Sequence, residues 1–172
     1  MSNAAARDER RRELAALGLT SVAVVVADQL SKAAVVGALG VGERAEVIGD
    51  FVLLWHIRNT GAAVSLLQFE GSLVLFYAVH VVALGMVAWF HRSFQGRSSW
   101  LHIMLGLLLG GSIGNLIDRI RQGYVTDFIS VGIGDVRFPT WNIADAGITV
   151  GIVLLVGYLV FLEPRRPAAQ AS

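Results

Sequence analysis

Four stretches of this chain are apolar for long enough to cross a bilayer, and that fact constrains everything else about its fold. They run over about 14–36, 73–90, 100–117 and 141–162. A helix needs roughly 20 residues to span the hydrocarbon layer. Lipid offers backbone groups no water, so each stretch must satisfy its own hydrogen bonds as an α-helix, which strands with open edges cannot do. With 55% hydrophobic and 16% charged residues, a chain of 172 residues is too poor in polar surface for an ordinary soluble domain. Its length suits one compact unit. The expected fold class is therefore an all-α membrane protein with four transmembrane helices, carrying a small β-rich element outside the bilayer.

Arginines give the orientation. Arg7, Arg10, Arg11 and Arg12 precede the first span, His91, Arg92 and Arg97 separate the second from the third, and Arg165 and Arg166 follow the fourth. The positive-inside rule puts these three places, and both termini, in the cytoplasm. The connections at about 37–72 and 118–140 then lie outside, although Arg44, Arg58, Arg119, Arg121 and Arg137 fall in them. No small-residue cleavage site follows the first apolar stretch, so it is read as a span and not as a secretory leader. Within the first outer connection, AEVIGDFVLLWHI (45–57) alternates apolar and polar residues and predicts one or two short strands. The apolar piece 62–69 predicts a small interfacial helix. A further strand in 124–138 is expected to pair with the first outer segment. Gly106, Gly110, Gly111 and Gly114 recur at three- and four-residue spacing in the third span, which lets a neighbouring helix come close.

Cysteine is absent, which excludes disulfides, thiol catalysis and thiolate metal sites. The four histidines, at 56, 80, 91 and 102, have no HExxH or paired spacing, so no metal site is expected. His80 and His102 read as hydrogen-bonded core residues. No nucleic-acid partner is expected, although the net charge of +1 by itself says nothing about one.

The polar residues that remain gather at one membrane depth. Asp28 lies near the outer end of the first span, Asn59 in RNTGAA, and Asn115, Asp118 and Arg119 at the end of the third. Asp127 follows in the outer connection, and Asn142 and Asp145 open the fourth span. Asn115 and Arg119 are four apart and Asn142 and Asp145 three apart, so each pair shares a helix face. An acid at the rim of a bilayer helix is costly and faces a bundle interior or wet cavity when it is functional. Two carboxylates brought together cannot both ionise cheaply. The ionised member of such a pair, here Asp127 and Asp145, takes a proton from water; the neutral member protonates a leaving nitrogen.

Blander readings exist for each residue. Asp145 could be a helix cap or dipole partner. Asp127 could be solvated in a loop. Asp118 could pair with Arg121 and Asp28 with Lys32, while Asn59 before Thr60-Gly61 could be a turn residue. Two other function classes also compete. A proton-coupled carrier would place its acids mid-helix and show an internal repeat. A non-enzymatic scaffold would bind helices through the glycine faces and leave the clustered Asn, Arg and Asp without a role.

Four segments together resemble the lipoprotein signal peptidases, the signal peptidase II family, over about 25–151: ADQLSK (27–32), RNTGAAVS (58–65), GGSIGNLIDRIRQGYVTDFI (110–129) and FPTWNIADAGITVG (138–151). The resemblance implies a four-helix membrane aspartyl endopeptidase without cofactor. Such an enzyme removes the signal peptide from diacylglyceryl-modified prolipoproteins, on the N-terminal side of the lipidated cysteine. It implies Asp127 and Asp145 as the catalytic pair, with Asp28, Asn59, Asn115, Asp118, Arg119 and Asn142 contacting substrate or orienting the acids. Further implications are a bacterial inner-membrane location, an active site on the outer side, contact with membrane lipid, and inhibition by globomycin. On this reading the chain divides into a basic cytoplasmic extension (1–13), a membrane protease domain (14–163) and a cytoplasmic tail (164–172), and acts as a monomer. Val64, where the family's box usually has an aromatic residue, and Ala146-Gly147, where a serine or threonine is common, depart from the pattern.

Overall fold

A computed structural model describes residues 3–61, 72–96 and 98–162. The first apolar stretch is part of a much longer helix, α1, Asn3–Ala38. At 1.5 Å per residue it measures about 54 Å, well beyond the hydrocarbon layer. The basic N-terminal segment is thus the helical continuation of the first span. It is also anchored: Glu13 is buried, and its Oε1 accepts the Gly96 N–H at 2.6 Å. His102, read as a hydrogen-bonded core residue, is buried beside it, with Nδ1 3.0 Å from the Ser98 carbonyl.

The connections at about 37–72 and 118–140 both contribute strand. After a turn in which the Glu43 carboxylate accepts the Gly40 N–H, β1 (Arg44–Ile48) and β2 (Val52–Asn59) make an antiparallel hairpin. From the second connection come β3 (Val125–Ile133) and β4 (Val136–Arg137). β3 pairs with β2, as the sequence predicted, and the sheet is antiparallel in the order β1-β2-β3-β4. A register shift on β2 between Leu54 and Ile57 sets Ile57 opposite Asp127 and Asn59 opposite Val125. The helix expected over 62–69, and Val64 with it, lie outside the described residues.

The other helices are α2 (Ser72–Ser93), α3 (Ser99–Gln122) and α4 (Ile143–Gly157), the last extended by a π-helical turn, Tyr158–Leu162. α3 runs five residues past the apolar stretch. Gly123, at φ 80°, stops it by donating its N–H to the Arg119 carbonyl. Asp118 and Arg119 are therefore helical, in the last turns of α3. Among the described residues three helices, α1, α3 and α4 with its extension, are long and apolar enough to cross a membrane.

Packing centres on α3, and its glycines fix how closely. A Cβ on Gly106 would meet Thr20, and one on Gly110 would lie 2.6 Å from the Ser21 carbonyl of α1. On the other side a Cβ on Gly111 would collide with the Ala144 carbonyl of α4. Small-residue seams drive helix association where lipid removes the hydrophobic incentive. α2 attaches differently, through an apolar cluster of Val87, Phe94, Leu101, Leu105 and Leu155 near the arginine-rich end. Leu19, Val22, Val26 and Leu30 on α1, and Ile152, Val153 and Val156 on α4, are exposed. Such side chains suit a lipid-facing surface.

Candidate active site

The site forms where the C-terminal ends of α1 and α3 and the N-terminal end of α4 meet β2 and β3. Local structure places the first acid. Asn142 precedes α4 in extended backbone, and its side-chain Oδ1 accepts the Asp145 N–H at 2.9 Å. Asp145 answers by accepting the Asn142 N–H on Oδ2 at 3.3 Å. This is a capping box, with Asn142 as the cap and Asp145 at the third helical position. The cap reading of Asp145 and its place in the site are thus compatible, because Oδ1 remains to accept Asn115 Nδ2 at 2.7 Å.

Asp127 comes from the strand and is buried, not solvated in a loop. Its Oδ1 accepts Asn142 Nδ2 at 2.6 Å and its Oδ2 accepts Asn59 Nδ2 at 2.8 Å. Asn59 is indeed a turn residue, since its Oδ1 accepts the Gly61 N–H at 2.8 Å, and that turn is what aims its amide at Asp127. Removal from water pushes the Asp127 carboxyl up to about 6. The Asn59 amide opposes that rise, the negative charge of Asp145 adds to it, and the Asn142 amide and the Lys32 ammonium oppose it. Asn142 touches both acids, so the two are one residue apart in the hydrogen-bond network.

A layer of charge supports this pair. Asp28 is fully buried; its Oδ1 accepts the Ala144 N–H at 2.9 Å, in the first turn of α4, where the helix dipole favours an anion. Its Oδ2 accepts Lys32 Nζ at 2.8 Å, the bridge expected from their spacing of four. Asp118 pairs with the same lysine at 2.9 Å, instead of the expected Arg121. Its Oδ2 also accepts the Thr126 N–H at 3.1 Å, which ties α3 to the start of β3. The reason is geometric: α3 turns Asp118 inward against α1, where a buried carboxylate needs a buried cation. Gln29 donates to Asp28, Asp118 and the Gly114 carbonyl. Arg119 is half-buried and within electrostatic reach of Asp127, Asp145 and Asp118.

All eight residues singled out from the sequence therefore meet in one place. Those the sequence reading left out are Gln29, Gly114 and Thr126, along with the full role of Lys32. Gly114 has no Cβ because one would sit 2.7 Å from Asp28 Oδ2. The glycine spacing flagged this position as a packing residue, but its contact with the acid required the fold. Among the described residues, no group of three or more His, Asp or Glu side chains could hold a metal ion.

Beside the site lies an apolar groove of about 370 Å³ between α2, α3 and α4. Met86, Phe90, Leu108, Ser112, Ile148 and Ile152 are among the residues that line it. Ser112 and Ile148 are each three residues, about one helical turn, from Asn115 and Asp145.

The profile of the family described as Signal peptidase (SPase) II matches residues 20–161. A lipoprotein signal peptidase of Listeria monocytogenes is 38% identical over 148 residues, covering 86% of this chain and 94% of its own length. One of Enterococcus faecalis is 38% identical over 145 residues, 84% of this chain and 88% of that protein. Two solved structures of bacterial membrane enzymes superpose with TM-scores of 0.76 (31% identity, 83% of this chain and 91% of that one) and 0.72 (28% identity, 88% and 93%).

Proposed function

The chain belongs to the signal peptidase II family, and from that premise we infer that it is a lipoprotein signal peptidase, a membrane hydrolase acting on prolipoprotein. We propose further that it is an aspartic peptidase whose working groups are Asp127 and Asp145. The observation that carries this is the shared neighbour: Asn142 hydrogen-bonds Asp127 through its side chain and Asp145 through its backbone. Burial favours the neutral form of Asp127, which in this reading keeps the shared proton. Asp145, at the mouth of α4, takes a proton from the attacking water. Asp127 polarises the scissile carbonyl and then protonates the leaving nitrogen. Atoms balance with water as the sole co-reactant, one N–H and one carboxyl being formed. Asn59, Asn115 and Asn142 orient the acids, Asp28 holds the helix that carries Asp145, Asp118 ties α3 to the strand that carries Asp127, and Arg119 takes substrate carbonyl or lipid ester oxygens.

The substrate in this proposal is a diacylglyceryl-modified prolipoprotein cut on the N-terminal side of its lipidated cysteine. The apolar groove of α2, α3 and α4 offers its signal segment a path from lipid to the acids. With α2 as the fourth span, both termini lie in the cytoplasm of a bacterial cell and the acids face outward across the inner membrane. Globomycin is expected to compete for the same place. A carrier is not supported: Asp145 and Asp118 sit at helix ends, and Asp127 on a strand.

Purified Asp127→Asn and Asp145→Asn proteins in liposomes, offered lipidated and unlipidated model prolipoprotein, test the reading. Each is expected to lose roughly 10²-fold or more of the wild-type rate, the scale of a general acid or base. A folded variant of either kind that cleaves at wild-type rate refutes it.

A further inference from the structure

Lys32 Nζ has three protons to donate, and three acceptors surround it: Asp28 Oδ2 at 2.8 Å, Asp118 Oδ2 at 2.9 Å and Asn115 Oδ1 at 3.2 Å. The side chain is buried. Asn115 is the informative partner. A carboxamide has an accepting end and a donating end, and the ammonium tolerates only the accepting one. Asn142 Nδ2, 3.2 Å from the same oxygen, enforces the same choice. The donating end of Asn115 is thereby turned to Asp145 Oδ1 at 2.7 Å.

We propose that Lys32 is a positioning residue for the carboxylate pair: it holds Asn115 in the amide orientation that donates to Asp145, and its charge sets the pH range over which the pair works. The inference rests on Asp127 and Asp145 being the working acids. The ammonium is a single positive charge between two carboxylates. Charged groups facing this region are Asp28 from its own helix, Asp118, Arg119 and Arg121 from α3, Asp127 from β3 and Asp145 from α4. Tyr77 of α2 acts on Arg119. Lys32 favours the ionised form of Asp127 through space. A lysine that only balanced Asp28 and Asp118 would affect folding and leave the pH response of cleavage alone.

The test is the pH profile of kcat/KM for lipidated peptide in liposomes, for wild type, Lys32→Met and Lys32→Arg. In Lys32→Met the limb set by Asp127 is expected to move to higher pH, by about one unit, as loss of a nearby opposite charge requires. The maximal rate falls by about 10²-fold, the scale of a misplaced reacting group. Lys32→Arg keeps the limbs in place and loses rate only. A Lys32→Met protein whose limbs stay put overturns the charge role. If that variant does not fold, Lys32→Gln combined with Asp118→Asn removes the ammonium together with one counter-charge. Its limbs are expected to stay while its rate falls, and an unchanged rate overturns the positioning role. An inactive Asp127→Asn beside a wild-type Lys32→Met profile defeats this inference alone, whereas an active Asp127→Asn defeats the reading beneath it.

Discussion

Asn142 donates its side-chain amide to Asp127 Oδ1 at 2.6 Å while its backbone begins the helix that carries Asp145. One residue thus sets the distance between a strand and a helix terminus. Asn142→Ala removes both the cap and the bridge. The expected stability loss is about 1 kcal/mol, typical of a lost cap, with a loss of activity much larger than that destabilisation explains. Thermal unfolding in detergent and single-turnover cleavage, run on the same preparation, check the two effects separately.

The raised Asp127 carboxyl makes a stability prediction with a definite sign. Its folded-state value of about 6 lies above the ordinary 3.8, so the folded protein binds the proton more tightly than the unfolded chain. That contribution is full below about 3.8 and is lost as pH rises through about 6. Roughly 2 kcal/mol is involved, allowing for partial solvent screening. Wild-type Tm should therefore fall between pH 4 and pH 7 more steeply than that of Asp127→Asn. Parallel curves would show that Asp127 titrates normally.

Activity should follow the same group with the sign that its role dictates. If Asp127 supplies the proton to the leaving nitrogen, kcat/KM declines as pH rises through about 6. The limb in kcat lies higher, because bound substrate excludes more water. A rate that climbs through this range instead would exchange the roles of the two acids.

Gly114→Ala puts a methyl group where Asp28 Oδ2 would be 2.7 Å away and Ala144 Cβ 3.2 Å away. Asp28 must then retreat from the first turn of α4. Overpacking of this kind costs about 1–3 kcal/mol. The prediction is a lower Tm with a disproportionate fall in kcat, whereas Gly37→Ala, where nothing lies within 4 Å, leaves both unchanged.

Filling the apolar groove should separate binding from chemistry. Ile152→Trp narrows it a turn away from Ile148 and touches neither acid. KM for lipidated peptide is expected to rise several-fold with kcat close to wild type. Equal loss in both parameters would place the signal segment elsewhere.

Much of this was legible in the sequence because membrane rules are strict. Apolar length gave the helices, alternation in 45–57 gave β1 and β2, and spacing gave the glycine seam. The site was legible because polar residues at one depth of a lipid-soluble chain have few other reasons to be there. What stayed hidden depended on rotation about a helix axis. Nothing in the residues around Asp118 says that it pairs with Lys32 of another helix and not with Arg121, three places along its own. Likewise, Lys32 reads as a simple i, i+4 partner until α3 delivers Asn115 to its other side. The bounds of α1 and α3 were missed for a simpler cause: a helix that leaves the bilayer keeps its hydrogen bonds but loses its apolar signal.

Gly106, Gly110 and Gly114 bring the backbone of α3 against α1, and Gly111 brings it against α4. Interlocked main chains leave no slack for these three helices to slide or swivel. Breathing among the described helices therefore falls to α2, which sits on a greasy side-chain cushion at its far end. Amide exchange should accordingly be slowest along the seam and quickest in α2, making the bundle a fixed jaw with one hinged side.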